Sequence, residues 1–204
     1  MPHHAERLIP VHARRRTLHR TGFPPESTIR IIPLVPDEDV DLIHGWVTED
    51  RARFWGMTDY SREQVLEVYR FLDSLETHHA FLLTLDDRAV ALFQSYDPFN
   101  DPVGEAYEPQ PGDLGIHLFM APVFTAPGDR PVPGLTPRLV LAFIDHLFGT
   151  TDARRILVEP DVRNAKALAR LTGSGFDAGP VIELQDKTAQ LFFLSRQSHE
   201  AMRS

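Results

Sequence analysis

The chain of 204 residues contains no cysteine. That removes disulfides, thiolate metal sites and cysteine nucleophiles, and it is compatible with a reducing cytoplasm, the expected location. Lysine is nearly missing too: of 21 basic residues only Lys166 and Lys187 are lysines, a scarcity that reads as compositional bias and not as chemistry. No apolar run approaches the roughly 20 residues needed to span a bilayer, and the first residues carry no signal-peptide core. Positive charge is in deficit, with 29 acids giving a net charge of −8, so neither a nucleic-acid nor a membrane partner is expected. What remains, 42% hydrophobic and 25% charged residues, is the composition of an ordinary globular domain.

Residues 1–27 are basic and proline-bearing without apolar periodicity, and they read as a flexible arm. "STIRIIPLVP" (27–36) alternates and carries β-branched residues, which predicts the first strand. Val40, Ile43 and Val47 then recur at helical spacing behind acids suited to a helix N-terminus, with Trp46 in the core. A second helix over 61–75 starts at Ser61 as N-cap and lines up Val65, Val68, Leu72 and Leu75. "HAFLLTL" and "AVALFQSY" form a hairpin around Asp86-Asp87-Arg88. A polar loop leads to a further strand, "GDLGIHLF" (112–119). The loop 121–135, with prolines at 122, 127, 131 and 133, excludes regular structure. The helix 136–149 opens with Thr136 as cap and Pro137 at its first position, and Gly149 closes it. "RRILVEPD", the helix "NAKALARLTGSGF" and two strands around Gln185-Asp186-Lys187 complete the order β-α-α-β-β-β-α-β-α-β-β. Without internal repeat or linker, one α/β domain is the simplest organisation.

Two stretches carry chemistry. The strand-loop-helix unit from Leu114 to Gly149 presents backbone N–H groups and a helix dipole, a combination that binds phosphate, although many helices begin after glycine with no ligand. His117 lies in an apolar strand, where alternation puts Ile116 and Leu118 on one face and the imidazole on the other. In isolation such a histidine is more often part of a core; beside a substrate it is a base that works at neutral pH. In "EPDVRN" (159–164), Glu159 and Asp161 are two apart at a strand end, while Asp161 and Asn164 also suit a strand-to-helix turn. The pairs His3-His4 and His78-His79 are adjacent, which suits helical chelation poorly, and no metal is assigned.

The element order resembles the GNAT acyltransferase fold. "DLIHGWVTEDRARFWGM" (41–57), "GDLGIHLF" (112–119), "RRILVEPDVRNAKALARL" (154–171) and "LQDKTAQLF" (184–192), in that order, resemble its siderophore-biosynthesis branch over about residues 28 to 196. That branch includes aerobactin N6-hydroxylysine acetyltransferases, mycobactin lysine acyltransferases and desferrioxamine-type acyltransferases. The resemblance implies a GNAT-like domain over 28–197, with a tail at 198–204. Its mixed, mostly antiparallel central sheet would be flanked by helices and splayed at the acyl-CoA site. Acetyl-CoA or another acyl-CoA would lie along the strand at Leu118, Phe119 and Met120, with its pyrophosphate at Arg130, Gly134, Leu135 and Thr136 and its arm near Asn164. His117 would accept the proton and Glu159 would work with it. Trp55, Gln94, Tyr96 and Asp161 would face the acceptor.

The implied reaction is N-acylation of an N-hydroxylated diamine or amino acid to a hydroxamate, by a monomer or homodimer. The alternatives are a GNAT for another amine, such as an aminoglycoside or polyamine, and a non-catalytic acyl-CoA-binding module. "DRPVPGLT" departs from the family's Arg-Gly-x-Gly pattern, because Pro131 and Pro133 offer no N–H, and this implies weakened or rearranged CoA binding.

Overall fold

A strand absent from the sequence reading comes first. The computed structural model describes residues 15–24, 26–122 and 132–203. In it β1 (His19–Phe23) pairs antiparallel with β2 (Ser27–Pro33), from His19 opposite Ile31 to Phe23 opposite Ser27. The expectation of an unstructured arm therefore fails over these residues. Part of the reason is electrostatic: Arg15 pairs with Glu38 at 2.9 Å and with buried Asp39 at 2.8 Å. Both acids lie in the first turn of α1 (Pro36–Val47), where helix N-termini favour negative charge. Asp39 also accepts the Val35 N–H at 2.8 Å, which accounts for its burial.

Eight strands form one mixed sheet in the order β1-β2-β3-β4-β5-β6-β8-β7, with β3 His78–Leu85, β4 Arg88–Tyr96, β5 Asp113–Met120, β6 Arg155–Val158, β7 Asp177–Glu183 and β8 Thr188–Ser195. The helices are α1, α2 (Arg62–Ser74), the short α3 (Val103–Ala106), α4 (Leu135–Thr150), α5 (Ala165–Thr172) and α6 (Arg196–Arg203). Among the described residues no helix is long and apolar enough to cross a membrane. The chain clusters into two compact units, which β4, β5 and α4 pass between as chain segments.

The unit formed by the described residues of 15–94 and 118–146 carries β1–β4, α1, α2 and most of α4. Ile29 and Ile31 of β2 are fully buried opposite Leu85 and Leu83 of β3. Ser61 and Gln64 close a capping box on α2, each side chain bonding the other's backbone N–H. The hairpin turns at Asp86, whose φ of 55° is a conformation aspartate tolerates; its carboxylate accepts the Thr28 N–H at 2.8 Å. Ile43, Trp46 and Val47 of α1 pack with Val65 and Tyr69 of α2, and burying each large apolar side chain contributes about 1.5–3 kcal/mol. The helix α4 begins at Leu135, with Gly134 at φ 74° preceding it, so Thr136 is not its cap and Pro137 is its third residue. Nor does Gly149 end it, since the helix runs to Thr150.

The other unit, 95–117 with 147–203, carries the start of β5 and β6–β8. Asp113 of β5 lies opposite Arg155 of parallel β6 and receives a two-pronged bond from it, at 2.7 Å on each oxygen. Of the expected tail at 198–204, residues 198–203 are instead part of α6, and 204 lies outside the described residues. Ser195 caps that helix by accepting the Ser198 N–H, and Arg196 donates to the carbonyls of Phe148, Thr151 and Ala153.

His146 of α4 is buried against Phe81 and His19, with ring centroids 6.0 and 5.9 Å away. Burial, with a smaller push from His19, lowers its pKa to about 4. The unfolded chain takes up this proton near pH 6.5 and the folded chain only near 4, so the stabilising term is complete above 6.5 and is lost as pH falls toward 4. A shift of that size corresponds to about 3 kcal/mol. His146→Leu is expected to flatten the loss of stability between pH 6.5 and 4 in urea titrations; an unchanged pH slope refutes this account.

Candidate active site

Strand alternation in β5 leaves Ile116 buried and His117 half-exposed. Forty-two residues later, Glu159 follows the last residue of β6 and is buried. Its position is fixed by the backbone on both sides. Val158 pairs with Phe192 of β8, and beyond it Val162 donates to the Thr188 carbonyl while Gln190 donates to that of Pro160. The carboxylate thus faces the β7–β8 turn and His117 together.

Four side chains meet there. His117 Nε2 lies 2.6 Å from Glu159 Oε1, the Tyr96 hydroxyl donates to Oε2 at 2.8 Å, and Lys187 Nζ approaches Oε1 at 3.5 Å. The Tyr96 ring also lies 4.8 Å, centroid to centroid, from the imidazole. Burial acts to raise the Glu159 pKa, but the imidazole, Lys187 and the Tyr96 hydroxyl outweigh it and hold the carboxyl at about 2. Burial, reinforced by the Glu159 charge, pushes the Tyr96 phenol well above its ordinary range, so it stays a neutral donor. An ionised carboxylate only accepts hydrogen bonds, hence Nε2 carries the proton and the basic lone pair of the neutral ring is on Nδ1. This is the orienting arrangement of an acid-histidine pair.

Gly115 makes the assembly possible. A Cβ there would lie 2.0 Å from Cζ of Tyr96, so only glycine lets the phenol ring cross β5 to reach Glu159. Tyr96 was expected to line an acceptor cleft; it is buried and spends its hydroxyl on Glu159. Asp161 binds Arg163, whose hydrogen bonds lower its pKa to about 2. Asn164 caps α5 by accepting the Ala167 N–H at 3.2 Å.

The remaining expected residues belong to the other unit. Trp55 packs edge-on against Phe119 at 5.2 Å, donates to the Tyr69 hydroxyl, and lies partly buried against that unit's core. Phe119 is buried under the Arg51 guanidinium, which also donates to the Met120 carbonyl at 2.5 Å. Leu118 and Gln94 are half-buried on their strands. In the first turn of α4 the Leu135 N–H bonds the Val132 carbonyl at 3.3 Å and Pro137 has none, which leaves Thr136 to offer an amide to an anion. Open space surrounds Gly134 beside it. Arg130 lies outside the described residues, among which no His/Asp/Glu group suits a metal ion.

Lys187 escaped the sequence reading. Its signal was there: a lysine in a chain that otherwise uses arginine almost throughout, inside the "LQDKTAQLF" motif.

A family model described as an acetyltransferase (GNAT) domain matches residues 35–184. An aminoglycoside N(6')-acetyltransferase type 1 of Klebsiella pneumoniae is 22% identical over 178 residues, covering 84% of this chain and 85% of the relative. Among solved structures, an uncharacterized protein of Bacillus halodurans superposes with a TM-score of 0.79 at 22% identity, over 91% of this chain and 94% of the other. An aminoglycoside acetyltransferase AAC(6')-Ib in complex with paromomycin and acetyl-CoA gives 0.74 at 22% identity, over 86% and 98%. At this identity the structural likenesses establish the fold.

Gly115→Ala is expected to lower the melting temperature by several degrees, because the methyl group collides with the Tyr96 ring, and to cost activity beyond that loss by dislodging Glu159. Thermal melts with turnover assays check both; a fully active, fully stable variant rules the contact out.

Proposed function

The chain belongs to the GNAT acetyltransferase family, and from that premise we propose that it transfers an acetyl group from acetyl-CoA to a primary amine of a small polyamine-like or aminoglycoside-like molecule. The observation that carries the choice of acceptor is the His117–Glu159 pair. An alkylamine, with a pKa near 10.4, must lose a proton before it attacks, whereas an N-hydroxylamine is already neutral at pH 7. A histidine oriented by a buried, ionised carboxylate is the equipment the first case needs. The names of the relatives agree with this reading.

In the proposed reaction His117 Nδ1 takes a proton from the ammonium, and the freed nitrogen attacks the thioester carbonyl carbon. The N–C bond forms, the C–S bond breaks, and the thiolate leaves and takes the second proton released by the nitrogen. Glu159 holds the imidazole in the Nε2–H tautomer and stabilises its cation. Acetyl-CoA supplies the activated acyl group. The chain would hold it through the β5 backbone at Leu118–Met120 and through Gly134 and Thr136 at α4, where the open space at Gly134 and the Thr136 amide fit a phosphate. With one first-turn N–H lost to Pro137 and another committed to Val132, that grip is weaker than a full turn of amides gives. The catalytic domain takes in β1 and α6 beside the expected 28–197, and works in the cytoplasm as a monomer or homodimer.

The hydroxamate-forming reading rests on the four sequence motifs, two of which hold His117 and Glu159. A panel of polyamines, aminoglycosides, diamines and N-hydroxydiamines, read by thiol release, separates the two. Turnover on unhydroxylated amines is expected; turnover confined to N-hydroxylated acceptors transfers the assignment to hydroxamate synthesis. His117→Ala is expected to lower kcat/KM by about 100-fold or more while calorimetric CoA affinity is kept, and full activity in that variant refutes the proposed base.

A further inference from the structure

The backbone of the β7–β8 turn places the lysine at the site. Lys187 ends the turn between β7 and β8, where its carbonyl accepts the Leu184 N–H at 2.8 Å. The next residue, Thr188, accepts the N–H of Val162, so the turn is in register with the segment that follows Glu159. Lys187 is mostly covered, its side chain 21% exposed, and its ammonium shares one carboxylate oxygen, Oε1, with His117 Nε2. Around the pair, Tyr96 from β4 binds Oε2, and Asp161 is paired with Arg163. Asp101 and Tyr107 bear on the Tyr96 phenol, while the Lys187 charge reaches Asp161 as well as Glu159.

We propose that Lys187 is a positioning residue that sets the basicity of the His117–Glu159 pair, a role that rests on the amine-acetylating reading above. By spending part of the Glu159 charge on Oε1, it limits how strongly the carboxylate holds an imidazolium. The imidazolium formed when the ring takes the amine's proton is therefore held less tightly, and it lets that proton go after transfer. Without Lys187 the whole carboxylate charge falls to His117, and the imidazolium is kept longer.

The test is the pH dependence of kcat/KM for acetyl transfer in the wild-type chain and in Lys187→Met, Lys187→Arg and His117→Ala. Lys187→Met is expected to move the acid limb upward by about one pH unit, the effect of one charge at this range, with activity on the alkaline plateau kept within a few-fold. Lys187→Arg, which keeps the charge, is expected to restore the limb. A uniform loss in Lys187→Met at every pH with the limb unmoved, or failure of arginine to restore a moved limb, overturns the proposal and leaves the lysine a prop for the turn. Full activity in His117→Ala removes the pair itself, and the failure then belongs to the proposed base and takes this role with it. Matching circular dichroism melts for the variants keep a folding defect from passing as a change in limb.

Discussion

A carboxylate sealed away from water is tolerable only where donors surround it, and Glu159 is the group on which this site depends. Taking its charge out of solvent without partners would cost several kcal/mol. Here a phenol, an imidazole and an ammonium converge on its two oxygens, from β4, β5 and the β7–β8 turn. Each donor needs its own support in the backbone: glycine at 115 to let the phenol cross, alternation in β5 to aim the imidazole, the register of β8 to bring the lysine. The same carboxylate then decides which ring nitrogen holds the proton. Fold and chemistry are joined at that atom pair.

The start of α4 is built more sparingly. The first turn of α4 has a proline where an amide would stand and a further amide committed to its own loop. The strand that leads to that loop, by contrast, is locked, with the Met120 carbonyl held by Arg51 and Phe119 clamped between Arg51 and Trp55.

Much of the fold could be read from local chemistry, since Ser61 with Gln64, Asp86-Asp87 and the apolar rows of α1 and α2 are short-range signals with physical causes. The misses are of another kind. The strand β1 is short and polar and depends on Arg15 finding the acids of α1; α6 depends on Arg196 finding carbonyls more than 40 residues back in the chain. Thr136 looked like a cap because a proline followed it, yet Gly134 in the left-handed region starts the helix earlier. At the site, no period or spacing links His117 to Glu159 across 42 residues, and only the likeness to a family joined them beforehand. Tyr96 stands out in the sequence only as a polar residue on a strand, and nothing local shows that Gly115 admits it to the interior. Lys187 carries no signal of its own in the sequence beyond its rarity and its motif, because its meaning is relational: a cation matters where a buried anion awaits it.

The two compact units are not equivalent in time. The ribosome makes the chain from its N-terminus, and domains tend to fold as their residues emerge. One unit has all its described residues by position 146, whereas the other must wait for β6, α5 and the β7–β8 hairpin. Tyr96 and His117 are translated well before the glutamate that binds them, and Lys187 arrives later still. Tyr96 and His117 thus stand in the chain before the carboxylate and the ammonium that meet them, and the four-residue cluster is complete only once the β7–β8 turn has been made.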